Sequence, residues 1–212
     1  MKIHQMTFNP FQENTYILWD ETKECIIIDP GCYNEYERKE LFNFIKKNSL
    51  LPVKLINTHC HIDHILGNNF VSETWSIELY MHKLDLILLE SSGTVAKTYG
   101  LDLFEGTPYP KHFLEDGEKL QFGSSSLDIL FTPGHAPGHI CLLNNKEKFI
   151  VSGDVLFNGS IGRTDLPGGD HKTLIESITK KLMKLDEDVI VYCGHGPSTS
   201  IGKEKNSNPF LQ

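Results

Sequence analysis

The strands and helices that can be read in this 212-residue chain are compatible with an α/β fold. Three observations carry that expectation. Short apolar runs recur and most stop at Gly, Pro, Asp or His, as buried strands do. Stretches with helical spacing lie between them. No repeat, low-complexity tract or flexible linker divides the chain, so residues 1–212 are expected to form a single domain. A chain of this length with 39% hydrophobic residues can bury roughly 70% of the surface its unfolded form exposes.

Cys25-Ile26-Ile27-Ile28 reads as a buried strand ending at Asp29-Pro30-Gly31. Tyr36 to Asn48 has helical spacing through Leu41, Phe44 and Ile45. Val53 to Ile56 is a strand that leads into Thr58-His59, and Asp63 is placed to start a helix through Phe70. Ile77 to Met81 reads as a strand and Lys83 to Leu89 as a short helix. Thr94 to Pro110, with its glycines and prolines, reads as a mobile loop. Lys119 to Phe122, Leu127 to Phe131, His139 to Leu143 and Phe149 to Ser152 make the middle β-rich. Asp170 is a good N-cap for a helix through about Leu185. Val189 to Tyr192 is the last strand, ending at Cys193-Gly194-His195-Gly196.

Composition removes several functions. The formal net charge is −8, and an acidic chain without a Lys/Arg cluster is a poor match for nucleic acid. Met1 to Leu18 lacks the sustained apolar run of a signal peptide. No apolar run approaches the ~20 residues of a bilayer span, so no membrane role and a cytoplasmic location are expected. Five cysteines without a CxxC pair argue against a disulfide framework or a zinc ribbon. Cys25, Cys141 and Cys193 read as small core residues.

The chemistry concentrates in Thr58-His59-Cys60-His61-Ile62-Asp63-His64. Imidazole and carboxylate are ligands for zinc, iron and manganese. Side chains two apart on extended chain point the same way, so His59 and His61 can share an ion while Cys60 points elsewhere. Asp63 and His64 follow too closely to join that pair easily, which calls for a second ion. Further candidates end other strands: His135 after Pro133-Gly134, Asp154 after Gly153, and His195 between two glycines. Strand ends hold loops rigidly while leaving them accessible. Asp29 suits either a bond to a ligand imidazole or a turn before Pro30-Gly31. His139 reads as structural, since it begins a strand leading away from the rim.

Taken together and in order, these segments resemble the metallo-β-lactamase superfamily. The resemblance implies a four-layer αββα sandwich of two mixed β-sheets flanked by helices. Carried over by position, it implies a first metal on His59, His61 and His135, and a second on Asp63, His64 and His195. Asp154 would bridge them. Zinc is the leading metal, with iron or manganese as alternatives. The implied reaction is hydrolysis by a metal-bridging hydroxide, with Asp63 orienting it or accepting its proton.

Gly159-Ser160-Ile161-Gly162-Arg163-Thr164-Asp165-Leu166-Pro167-Gly168-Gly169-Asp170 narrows the resemblance to short bacterial glyoxalase II-like hydrolases. So do Pro10-Phe11-Gln12-Glu13-Asn14 and Gly194-His195-Gly196-Pro197 through Asn208-Pro209-Phe210-Leu211. That family hydrolyses the thioester S-2-hydroxyacylglutathione, a small-molecule substrate. Arg163 would bind an anionic group of that substrate or pair with Asp165. The chain stops soon after His195, without the family's C-terminal helical domain, so looser recognition of the glutathione half is expected. The alternative is a mononuclear iron persulfide dioxygenase, a relative sharing the Gly-Arg-Thr-Asp segment. A nuclease of the superfamily is disfavoured by charge, a noncatalytic module by the complete ligand set, and a β-lactamase by the missing signal peptide. The sequence leaves the oligomeric state open.

Overall fold

A computed structural model describes residues 1–212. The residues group into two compact units, 1–113 with 121–125, and 114–120 with 126–212.

The first unit is built on a six-stranded sheet ordered β1 (Lys2–Phe8), β2 (Glu13–Trp19), β3 (Glu24–Ile28), β4 (Leu51–Ile56), β5 (Leu79–Met81) and β6 (His112–Phe113). β1 to β3 pair antiparallel and β3 to β6 pair parallel, so the sheet is mixed. Parallel neighbours need long crossovers. These are supplied by α1 (Glu35–Lys47), by α2 (Ile62–Ile65) with α3 (Asn68–Trp75), and by α4 (Leu86–Thr98). Ile26, Ile27 and Ile28 are fully buried on successive positions. A strand covered on both faces must be apolar throughout, which is why β3 shows no alternation. α1 opens with a capping box between Asn34 and Glu37 and closes on Lys46 and Lys47, matching charge to the helix dipole at both ends. Its Leu41 and Ile45, one turn apart, are buried in the core.

The second unit is built on a sheet ordered β14 (Thr199–Ser200), β13 (Ile190–Cys193), β10 (Phe149–Gly153), β9 (Ile140–Asn144), β8 (Ser125–Phe131) and β7 (Lys119–Phe122). β13 runs parallel to β10, and β9 antiparallel to both β10 and β8. A small ribbon of β11 (Leu156–Phe157) and β12 (Ser160–Ile161) precedes α5 (His171–Lys180). α6 (Ile201–Ser207) follows β14. Leu174 and Ile178 of α5 pack with Cys141, Ile150, Val191 and Cys193. No helix is long and apolar enough to cross a membrane.

The main strands and helices fall where the apolar runs place them, with these differences. The helix expected from Asp170 through about Leu185 ends at Lys180, and a 3-10 turn follows at Leu182–Lys184. The helix expected from Asp63 through Phe70 is broken into α2 and α3. Gly67 causes the break: its N–H donates to Pro30 O at 2.7 Å, and a Cβ there would meet Cys32 Sγ at 2.4 Å. The backbone is thus pinned to the 30–32 loop. The helix after Lys83 runs on to Thr98, so residues 94–98 are helical rather than part of a loop. Ser91-Ser92-Gly93-Thr94 are weak helix formers, and burial of Leu89, Ser92 and Ala96 overrides them. β1, β2 and α6 were not marked by any apolar run. β2 buries Glu13, Asn14 and Thr15, which hides it from a hydrophobicity reading.

All five cysteines are free and buried. Burial pushes the thiols of Cys25, Cys141 and Cys193 up to about 12.

Candidate metal centre

In the first unit the loop after β4 carries four candidate ligands, and a buried polar layer beneath holds it. Asp29 ends β3 with φ of 48°, a conformation that costs an ordinary L-residue and collects at functional sites. Its Oδ1 accepts the Thr58 N–H at 2.7 Å and its Oδ2 the Thr58 hydroxyl at 2.5 Å. His64 Nδ1 lies 3.2 Å from the same Oδ2. His59 Nδ1 lies 3.1 Å from Thr58 Oγ1. The Thr58 hydroxyl gives its proton to Asp29, so it accepts from His59. Both imidazoles therefore commit Nδ1 to this network and present Nε2 outward. Fixing the ring in this way selects the tautomer a metal ligand needs. The even choice for Asp29 resolves in favour of orienting the imidazoles.

Further buried residues, which the sequence reading missed, hold the same loop. Asn9 donates to Gly31 O and to Asp63 O, each at 3.0 Å. Asn57 donates to His64 O at 3.2 Å. Asp85, fully buried, accepts the Cys60 N–H at 2.8 Å. Cys60 Sγ turns into the core against Met81 Sδ, 3.7 Å away, as alternation with the two histidines requires. Glu13 lies behind His64, at 3.8 Å from its Nδ1. Burial pushes the Glu13 carboxyl well above the usual carboxylate range. Gly31 admits this layer: a Cβ there would sit 2.1 Å from Glu13 Oε2.

The second unit sets three candidates at the ends of its strands. Gly134 takes φ of 127°, and a Cβ would collide with Leu174 N at 2.2 Å. This close approach delivers His135 onto the rim. His135 Nδ1 donates to Arg163 O at 2.7 Å, again leaving Nε2 as the outward atom. Arg163 thus contributes through its carbonyl. Its guanidinium forms a bidentate pair with Asp165, both contacts 2.7 Å. Those bonds hold the Asp165 carboxyl at about 2. His139 is fully buried.

The spacing of donor atoms tests whether these residues suit a metal. Tetrahedral donors about 2.1 Å from a cation stand roughly 3.4 Å apart. Asp154 Oδ2 is 3.5 Å from His135 Nε2 and 3.5 Å from His195 Nε2. His64 Nε2 is 3.6 Å from Asp63 Oδ2. A charge-assisted hydrogen bond would draw each pair to about 2.7–2.9 Å. The observed separations fit donors around a shared cation, and the donor types fit zinc or iron.

A family model described as the metallo-beta-lactamase superfamily matches residues 8–195, a span that runs through both units. The hydroxyacylglutathione hydrolase GloC of Haemophilus influenzae is 40% identical over 212 residues, covering 100% of this chain and 98% of that protein. The crystal structure of the BLEG-1 B3 metallo-beta-lactamase matches with a TM-score of 0.89 and 38% identity, covering 100% of both chains. The crystal structure of TTHA1623 in a di-iron-bound form matches with a TM-score of 0.88 and 38% identity, covering 98% of this chain and 100% of that one.

Proposed function

This chain belongs to the metallo-β-lactamase superfamily and is a metal-dependent hydrolase, and from that premise we propose that it cleaves thioesters of the S-2-hydroxyacylglutathione type. Its mixed sheets with flanking helices are the fold expected from the sequence. The observation that carries the proposal is the single Asp154 oxygen equidistant, at 3.5 Å, from two imidazoles. A carboxylate so placed suits a bridge between two ions. In this reading His59, His61 and His135 hold one divalent cation, and Asp63, His64 and His195 the other. Zinc is the first choice, and the di-iron form of a 38% identical relative keeps iron in view. When bound, such a pair lowers the pKa of water to about 7 and polarises a carbonyl.

The chain's own residues do the rest. Asp63 holds the proton released as water adds to the acyl carbon. Arg163 meets an anionic group of the substrate, exchanging part of its pairing with Asp165. The C–S bond breaks, the acyl carbon gains oxygen from water, and the thiolate leaves to take up a proton. No cysteine is available as a nucleophile, because each is buried and desolvation raises its thiol. The thioester assignment is supported by full-length similarity to a protein named hydroxyacylglutathione hydrolase. The substrate is a small molecule, and the reaction belongs in the cytoplasm.

Metal analysis combined with a substrate panel tests this reading. The expected result is two metals per chain and hydrolysis of lactoylglutathione and of the same acyl group on simpler thiols. A preparation with one iron that consumes oxygen on glutathione persulfide, and hydrolyses no thioester, would replace the proposal with the dioxygenase. Turnover confined to a β-lactam such as nitrocefin would replace it with a lactamase.

Arg163→Ala is expected to leave metal content unchanged. It should reduce kcat/KM for thioesters roughly tenfold, a loss of about 1.4 kcal/mol, mainly through KM. Unchanged kinetics with a lower Tm would mean that the side chain serves only its pair with Asp165.

A further inference from the structure

His139 stands outside the ligand set, yet its ring is placed against the residue on which that set turns. It is fully buried, and a buried imidazole needs a partner at each nitrogen. Nε2 accepts the backbone N–H of Asp154 at 3.1 Å, across 15 residues of sequence. An accepting Nε2 puts the ring proton on Nδ1, which faces Thr132 Oγ1 at 3.2 Å. The Thr132 hydroxyl donates to His139 O at 3.5 Å and lies 3.2 Å from Cys141 Sγ. The Thr132 N–H donates to His139 O at 2.8 Å, which ties the two residues together at the base of the 133–138 loop. The tautomer of His139 is thus set by the frame of β8 and β9.

The Asp154 backbone is constrained on its other side as well. Gly162 lies so close that a Cβ there would be 1.9 Å from Asp154 O. The preceding Gly153 takes φ of 47°, and its carbonyl accepts the Gly194 N–H at 2.8 Å. A peptide plane clamped at both ends fixes the direction in which Cα–Cβ leaves the chain. Metal-site geometry has to be held to about 0.5 Å and 10–20°.

We propose that His139 is a positioning residue for the metal centre: its Nε2 fixes the Asp154 backbone so that one carboxylate oxygen faces His135 and His195 equally. The inference rests on the two-metal reading above. The loop that carries one metal ligand, His135, thereby also carries the residue that aims the bridging one. Binding at one ligand position and orientation of the bridge are mechanically linked through the three residues between His135 and His139.

Three variants of the full chain, measured beside the wild type, test this. Glutamine can place Oε1 where Nε2 stands, whereas the shorter asparagine amide cannot reach. His139→Gln should keep zinc affinity, in competition with a chelator, and the cobalt d–d spectrum close to wild type. His139→Asn should weaken metal binding roughly 10- to 100-fold and alter the cobalt spectrum. Thr132→Val, which releases the tautomer while leaving the imidazole in place, should give a smaller loss in the same direction. It also serves if the asparagine variant does not fold. Equal affinities for Gln and Asn, or a Thr132→Val protein with an unaltered cobalt spectrum and affinity, would overturn the positioning role. A wild type that binds fewer than two metals would instead overturn the reading beneath it. A folded His139→Asn protein that loses only thermal stability would return the residue to a packing role.

Discussion

Asp154→Ala is expected to lose metal and essentially all hydrolase activity together. Asp154 Oδ2 is the one carboxylate oxygen standing 3.5 Å from both His135 Nε2 and His195 Nε2. In the proposed two-metal site each cation would then lose a donor, and the charge of one would no longer be screened from the other. Alanine also replaces a side chain that is only 11% exposed, so the imidazoles it separates are left facing each other. Turnover should fall by at least about 10³-fold, more than 4 kcal/mol of transition-state stabilisation. Metal content by mass spectrometry should fall below one per chain. Backbone contacts from His139 and Gly162 do not involve the side chain, so the fold should survive. Normal metal content with near-normal turnover would show that the bridge lies elsewhere.

Asp29→Ala has the largest combined effect on stability and metal binding. The substitution strips acceptors from the Thr58 N–H, the Thr58 hydroxyl and His64 Nδ1 at once. Orphaned buried donors cost about 1–3 kcal/mol each. Alanine at φ of 48° adds little to this, because Asp29 already bears most of that backbone cost. Some of this is recovered as the loop relaxes, leaving an expected loss of roughly 3–5 kcal/mol in urea unfolding. Metal affinity should fall about 10- to 100-fold because His59 and His64 lose the contacts that set their tautomers. Asp29→Gly, which removes the carboxylate but tolerates the backbone, separates the two effects. It should recover part of the stability and none of the metal affinity. Full recovery of affinity in the glycine variant would show that Asp29 acts through backbone conformation alone.

Much of the fold and the outline of the centre could be read from residue order. The cluster from His59 to His64 stood out because four ligand-capable side chains in six positions have no comparable packing role. Strand-terminal His135, Asp154 and His195 stood out because each adjoins a glycine. What was not legible depends on contacts distant in sequence. Asn9 reaches Asp63 across 54 residues, and Asp85 reaches Cys60 across 25. Nothing local distinguishes either from a turn or cap residue. For Arg163 the residue type points to an anionic group or to the pair with Asp165, and the pair is present; its carbonyl, which orients His135, leaves no mark on residue type. β2 was missed because burying Glu13 and Asn14 inverts the usual strand signature. α4 was cut short because Ser91 to Thr94 disfavour helix, and only tertiary packing explains why it continues.

The burial of every cysteine has a consequence for the setting in which this enzyme works. Under the proposed thioester reaction each turnover releases a free thiol, and free thiols in cells coexist with disulfides and sulfenic acids. Exchange with such species needs a thiolate that is exposed. This chain offers none: desolvation raises all five thiols, and each is packed within the core. Cys60, between His59 and His61, is turned inward against Met81. Disulfide exchange or oxidation at these five residues would first require the surrounding core to open.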